Sequence, residues 1–136
     1  MFKSKKIKRI LVVDDQEVAR MAISAVMEKH GHVDTAEDGT TALNCYVTAL
    51  DDGWEYDLIC MDITMPGLLS GCQVVRCIRV HEEKTKIGHP VPVVMISATA
   101  ETAERARDFK LTGADEYIVK PFNQARLDEV IQRFLY

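Results

Sequence analysis

Five short, mostly apolar runs constrain the fold of this chain more than any other feature, because a longer amphipathic segment follows each of them. The runs are KRILVV, HVDTA, YDLICM, VPVVMI and DEYIV, and the segments are residues 16–29, 38–51, 71–83, 101–111 and 123–135. Continuous apolar runs are typical of strands buried on both faces, and this alternation indicates a parallel sheet covered by helices on both sides. We therefore predict a doubly wound α/β fold with five strands and five helices.

The last amphipathic segment shows the helical spacing most clearly. Its apolar residues recur at intervals of three and four, and Asn123 suits the N-cap position before them. Turn-forming residues stand between predicted elements at Gly31, Asp38-Gly39 and Gly113. One longer, charged connection, residues 81–92, is predicted to lie on the surface before the fourth strand.

Size and composition narrow the class of protein. With 136 residues, 47% of them hydrophobic, the chain is large enough for one domain with a hydrophobic core. No apolar run is long enough for a membrane span or for the core of a signal peptide, so we expect a soluble, cytoplasmic protein. We predict a single domain over residues 1–136, with residues 1–6 as a basic amino-terminal tail.

The cysteines and the net charge exclude further classes. Four cysteines, with no Cys-x-x-Cys pair and no histidine at zinc-finger spacing, argue against a structural zinc site and against a secreted disulfide scaffold. We interpret them as reduced thiols, mostly in the core. A net charge of -4 disfavours nucleic acid binding by the domain surface, and the basic stretch MFKSKKIKR is interpreted as a solvated tail that leads into the first strand.

Polar side chains stand at the ends of four of the five predicted strands. They are Asp14 and Asp15 after the first, Asp62 after the third, Ser97 after the fourth and Lys120 after the fifth. In an open, doubly wound sheet, ligands bind beyond the carboxyl ends of the strands, where the strand order reverses. We therefore expect these five side chains to share one crevice.

Three carboxylates in one crevice predict a bound cation, because their mutual repulsion would otherwise raise each pKa. Mg²⁺ suits the cluster: it prefers oxygen ligands, uses one or two direct carboxylates and keeps waters that a phosphate can replace. With the Lys120 ammonium and the Ser97 hydroxyl, the ion would form a clamp for a phosphoryl group, and one carboxylate would act as nucleophile.

Together these motifs resemble the receiver domain of two-component response regulators, over essentially the whole chain. The acidic pair appears as VVDD, the phosphoacceptor as MDITMP, the switch hydroxyl as ISA and the lysine within GADEYIVKPF. The resemblance implies a flavodoxin-like, five-stranded parallel sheet of order 2-1-3-4-5 with five helices. It also implies that the protein is a signalling switch and not an enzyme. Such a switch promotes only its own phosphorylation and dephosphorylation.

By this resemblance, Asp62 would accept phosphate from a phosphohistidine. Asp15 would bind Mg²⁺ directly, Asp14 would act through water or as a weaker ligand, and the backbone carbonyl of Thr64 would complete the protein ligands. Thr64 and Thr99 occupy the two positions that the family uses to tune dephosphorylation. Neither is an acid or amide able to orient a water, so we expect no unusually fast self-hydrolysis.

The resemblance also assigns the switch residues. Ser97 and Lys120 would contact the phosphoryl oxygens, and Tyr117 matches the aromatic position that moves inward when the hydroxyl moves toward the phosphate. A half-buried tyrosine with its hydroxyl in solvent explains Tyr117 nearly as well, so both interpretations stay open. The family further implies a cis Lys120-Pro121 bond, which is uncommon among X-Pro bonds.

The turn after Asp62 departs from the family pattern. GLLSG carries one residue more before Gly71 than usual, and Ser70 stands where an acid or amide is expected, although Ser70 is still able to cap the next helix. Leu68 and Leu69 form either an exposed apolar spot that receives a partner or a contact with the neighbouring loop.

These features favour a phosphorylation-dependent switch. A histidine kinase or histidine phosphotransfer protein would donate, and helix four, strand five and helix five would signal to an effector protein, with dimerisation left open. We expect output through protein contacts, unless the chain is a phosphorelay intermediate or a receiver piece of a longer regulator or hybrid kinase. A phosphohydrolase with an aspartate nucleophile is a remote alternative, since Thr64 stands where such enzymes carry a second acid.

Overall fold

The structure is a computed structural model that describes residues 7–65, 67–86, 88–99, 102, 104 and 113–136. Its elements are β1 (Lys8–Val13), α1 (Glu17–Met27), β2 (Gly31–Ala36), α2 (Gly39–Asp51), β3 (Leu58–Asp62), α3 (Gly71–Thr85), β4 (Val93–Ser97), β5 (Glu116–Val119) and α4 (Gln124–Leu135). The predicted tail, residues 1–6, and all but positions 102 and 104 of the predicted fourth helix lie outside the described residues. The label α4 therefore denotes the fifth helix of the prediction.

The five strands form a single parallel sheet in the order β2-β1-β3-β4-β5. This confirms the doubly wound, flavodoxin-like fold and the order 2-1-3-4-5. Every residue of β3 and of β4 is buried, which explains why their sequences are continuous apolar runs rather than alternating ones. The order reverses between β1 and β3, so a crevice opens beyond the carboxyl ends of these two strands.

Alternate side chains of the strands pack into two hydrophobic cores, one on each face of the sheet. Leu11 and Met61 pack with α2 and α3 on one face, whereas Ile10 and Cys60 pack with α1 and α4 on the other. All four cysteines are free thiols, and Cys60 is fully buried. Among the described helices, none has the length and apolar composition needed to cross a membrane.

Local hydrogen bonds set the helix starts that flank the crevice. Ser70 Oγ accepts from the Gln73 amide at 3.2 Å, and the Gln73 side chain accepts from the Ser70 amide at 2.8 Å, which is a capping box. Asn123 caps α4 through the Arg126 amide at 2.9 Å. Both predicted caps are confirmed, so the extra residue in GLLSG leaves the start of α3 intact.

Candidate functional site at the carboxyl edge of the sheet

Three aspartates from two neighbouring strands converge at the carboxyl edge of the sheet. Asp14 and Asp15 follow β1 and Asp62 ends β3, and each offers a carboxylate oxygen within 4.8 Å of the other two. Asp14 is 1% exposed and Asp62 is 5% exposed, whereas Asp15 is open to solvent. The structure thus brings together the three carboxylates that the strand ends predicted.

Asp14 is held by bonds to both carboxylate oxygens. Its Oδ1 accepts from the Gln16 amide at 2.9 Å, and its Oδ2 accepts from Lys120 Nζ at 2.7 Å. The Asp14 backbone carbonyl accepts from the Arg20 guanidinium at 2.8 Å. The sequence interpretation missed Arg20, which lies on α1 and has no motif of its own, although its spacing from the acidic pair places it on the turn of helix beside them.

Lys120 brings a positive charge from the far side of the crevice. Its Nζ lies 3.7 Å from Asp62 Oδ2 in addition to its short contact with Asp14, and its backbone amide donates to the Ser97 carbonyl at 2.7 Å. The Lys120-Pro121 bond is cis, as predicted. One ammonium therefore faces two buried carboxylates from neighbouring strands.

The protonation of Asp62 reflects its surroundings. Burial raises the pKa of this carboxyl to about 7; the Lys120 ammonium opposes the rise, and the nearby Asp14 carboxylate adds to it. The Thr64 amide, which donates to Asp62 Oδ1 at 3.2 Å, also opposes the rise in this pKa, as Lys120 does. Because the protein supplies too little positive charge to keep Asp62 fully ionised at neutral pH, the crevice has the electrostatics of a site that gains a cation.

Ser97 reaches the same edge but bonds within its own turn. Its Oγ donates to the Thr99 carbonyl at 2.8 Å and accepts from the Thr99 amide at 3.2 Å. Thr99 Oγ1 in turn accepts from the Thr102 amide at 3.1 Å, in the manner of a helix cap. Since Ile96 is the register partner of Asp62, Ser97 stands one residue beyond it on β4, beside the end of β3.

Tyr117 lies away from the crevice, on β5 opposite Met95 of β4. It is 9% exposed and packs within the core on the α2 and α3 face of the sheet. The structure therefore gives Tyr117 a largely buried position.

The two leucines of GLLSG differ in their exposure to solvent. Leu68 is 91% exposed, whereas Leu69 is partly buried against the core, where its backbone and Cβ closely approach Gly39 at the start of α2. Gly71 also marks a close approach, because a Cβ there would collide with the carbonyl oxygen of Asp62. Leu69 thus makes a contact of the kind that one interpretation predicted, and Leu68 is exposed as the other required; contact of Leu68 with a partner remains a prediction.

A family model described as "Response regulator receiver domain" matches residues 10–132. The chain belongs to the response regulator receiver family. The phosphate regulon transcriptional regulatory protein PhoB of Escherichia coli is 37% identical in an alignment of 131 residues that covers 93% of this chain and 52% of PhoB. This receiver domain therefore spans about half the length of the curated relative, so the resemblance to PhoB concerns only part of that protein.

Solved receiver structures share the fold over nearly the whole domain. The receiver domain of the Arabidopsis thaliana histidine kinase CKI1, complexed with Mg²⁺ and BeF3-, is 29% identical with a TM-score of 0.79, covering 94% of this chain and 89% of that one. A co-crystal structure from Saccharomyces cerevisiae contains the histidine phosphotransfer protein Ypd1 and the receiver domain of Ssk1. The matched chain of that structure is 26% identical with a TM-score of 0.78, and the match covers 96% of this chain and 91% of that one.

Proposed function

We propose that Asp62 of this receiver domain accepts a phosphoryl group from a phosphohistidine on a histidine kinase or histidine phosphotransfer protein. One observation carries the proposal: a buried carboxylate at the end of β3 lies beside two further carboxylates and 3.7 Å from the Lys120 ammonium. An attacking carboxylate with positive charge fixed beside it is what phosphoryl transfer requires of a protein, since this chemistry depends mainly on positioning and charge stabilisation.

The acidic cluster fits Mg²⁺. Both oxygens of Asp14 already accept protein hydrogen bonds, so Asp15, Asp62 and the backbone carbonyl of Thr64 would give the direct ligands and Asp14 would act through water. Oxygen ligands with few direct carboxylates are what this ion prefers, and the CKI1 receiver complex shows the ion in a relative. When bound, Mg²⁺ would supply positive charge to the phosphoryl oxygens.

In the proposed transfer, an oxygen of Asp62 attacks the phosphorus atom. The phosphorus–nitrogen bond to the donor imidazole breaks, its electron pair stays on the imidazole nitrogen, and that nitrogen takes one proton from solvent. Lys120, already near Asp62, would pair with the phosphoryl oxygens as negative charge develops there. The product is an acyl phosphate on Asp62, and its hydrolysis by water would regenerate the carboxylate.

The switch would start at Ser97. To donate to a phosphoryl oxygen, its hydroxyl must give up its 2.8 Å bond to the Thr99 carbonyl, which perturbs the turn after β4. We infer that this turn passes the change to Tyr117 and to a surface formed by the predicted fourth helix, β5 and α4, which would contact an effector protein. Because Tyr117 is already largely buried, the inward movement of its ring would be small.

Exposed apolar residues on α1 support contact with a protein donor. Val18 is 82% exposed and Met21 is 62% exposed, and both follow Asp15 closely along the chain. A phosphorelay intermediate and a receiver within a longer regulator would use the same chemistry, so both fit this proposal. The phosphohydrolase alternative gains no support, because the hydroxyl of Thr64, two residues after Asp62, is no acid able to protonate a leaving group.

Incubation with acetyl phosphate and Mg²⁺ tests the proposal. Intact-mass measurement should show one added phosphoryl group that is stable in acid and labile in base, and Asp62→Asn should show none. Asp128→Asn, which changes an exposed aspartate on α4, is the matched control and should be labelled like the wild type. Equal labelling of the Asp62→Asn variant, or none of the wild type, would refute the assignment of Asp62.

A further inference from the structure

A cleft of about 430 Å³ opens beside the aspartate cluster. It lies between the turn that joins β2 to α2 and the GLLSG turn that joins β3 to α3. Its described lining residues are Asp15, Glu37, Asp38, Gly39, Thr40, Gly67, Leu68 and Leu69. Asp15 belongs both to this cleft and to the aspartate cluster, so a segment seated in the cleft lies next to the phosphoacceptor site.

The charge of the cleft is negative. Among its described lining residues, three carry carboxylates and none carries a cationic side chain. Asp38 is the N-cap of α2 and accepts from the Thr41 amide at 2.7 Å, a bond that lowers the pKa of its carboxyl and keeps it ionised. Glu37 is exposed on the rim, where it is free to meet an incoming charge. When Mg²⁺ offsets Asp15, Glu37 and Asp38 still leave the cleft negative.

The rim of the cleft is apolar on one side. Leu69 packs down against Gly39 and thereby holds the turn in place, while Leu68 projects with 91% of its surface exposed. When a partner covers a leucine that is exposed to this extent, burial of its apolar surface stabilises the complex. The extra residue in GLLSG thus presents one apolar side chain beside two carboxylates, on a turn that is anchored rather than loose.

We propose that this cleft docks a segment of the phosphodonor protein in which a lysine or arginine stands beside an apolar side chain. The cation would lie between Glu37 and Asp38, and the apolar side chain would cover Leu68. The proposal rests on the proposed function, because the donor is the partner that must approach Asp62 and the cleft shares Asp15 with that site. Charge complementarity selects the occupant, since a neutral or acidic segment would bring no positive charge to the two carboxylates.

Peptide titration followed by NMR tests this docking. Two synthetic amphipathic peptides, identical except for a lysine or a glutamate beside a leucine, are added to the isotope-labelled domain in Mg²⁺. The lysine peptide should shift the amide signals of residues 37–40 and 67–69, and the glutamate peptide should not. Glu37→Lys and Leu68→Ser should each weaken binding of the lysine peptide about fivefold or more, in keeping with the loss of one charged or apolar contact.

Glu55→Lys is the matched control, because Glu55 is an exposed acid before the amino end of β3, opposite the crevice. It should bind the lysine peptide like the wild type. Equal binding of the two peptides, unchanged binding by both cleft variants, or no shift at the cleft would overturn the docking proposal. Labelling by acetyl phosphate separates this failure from that of the proposed function: it needs no docked protein, so both cleft variants should label within about twofold of the wild type.

Discussion

Replacing Asp62 by asparagine should stabilise the Mg²⁺-free domain at alkaline pH. The Asp62 carboxyl is buried, and its pKa in the folded protein is about 7 rather than the ordinary 3.8. Above pH 7 the folded chain therefore holds an ionised group in surroundings that favour its neutral form. Asparagine has nearly the same shape and no charge, so it removes this cost without opening a cavity.

The pKa difference sets the size of the effect. Going from 3.8 to about 7 spans roughly three pH units, and each unit corresponds to about 1.4 kcal/mol of folding free energy. The pKa of about 7 already includes the opposing attraction of Lys120, so the upper limit is about 4 kcal/mol; because water reaches the open crevice and screens the charge, we expect about 2–4 kcal/mol at pH 8. Lys120 keeps its 2.7 Å contact with Asp14 in the variant, so its ammonium stays paired.

The sign follows from proton uptake. Between about pH 4 and pH 7 the folded wild type holds a proton on Asp62 that the unfolded chain has released, so wild-type stability falls as the pH rises and levels off above about 7. The gain from asparagine should therefore be full at pH 8, below half of that at pH 5 and close to zero near pH 4.

Urea unfolding followed by circular dichroism in EDTA measures this gain. Asp128→Asn removes an exposed aspartate of α4 and should change stability little at either pH. A gain of the same size at pH 5 and pH 8, or a less stable variant at pH 8, would refute the argument from burial. Added Mg²⁺ should narrow the gap, because the ion stabilises the wild type more than the variant, which lacks one of the three carboxylates.

Two further predictions concern the same edge of the sheet. Gly71→Ala should lower the free energy of unfolding by about 1–3 kcal/mol, because the new Cβ meets the Asp62 carbonyl, whereas Gly88→Ala enters open space and should cost little in the same urea assay. Lys120→Ala should still bind Mg²⁺ but should lose the NMR shift of Tyr117 that beryllofluoride causes in the wild type. A wild-type response in that variant would remove Lys120 from the coupling.

The strand ends made much of the site predictable from sequence. A parallel sheet buried on both faces demands continuous apolar strands, and it brings their carboxyl ends to one edge, so Asp14, Asp15 and Asp62 had to meet. Local rules were equally informative at the caps Ser70 and Asn123, because a capping bond involves residues only three positions apart. The roles of these aspartates in metal binding and phosphorylation remain predictions.

Other features depend on contacts between residues distant in the chain, which periodicity and spacing do not encode. Tyr117 is buried only because β5 sets its ring against the α2 and α3 face. The leucine pair is the clearest case. Two identical neighbours look equivalent in sequence, yet the start of α2 at Gly39 accepts Leu69, which leaves Leu68 in water beside an acidic cleft. The apolar runs and the strand ends were enough to predict the sheet and the residues at its edge. Which side chains face one another across that edge depends on the packing of all the neighbouring elements together.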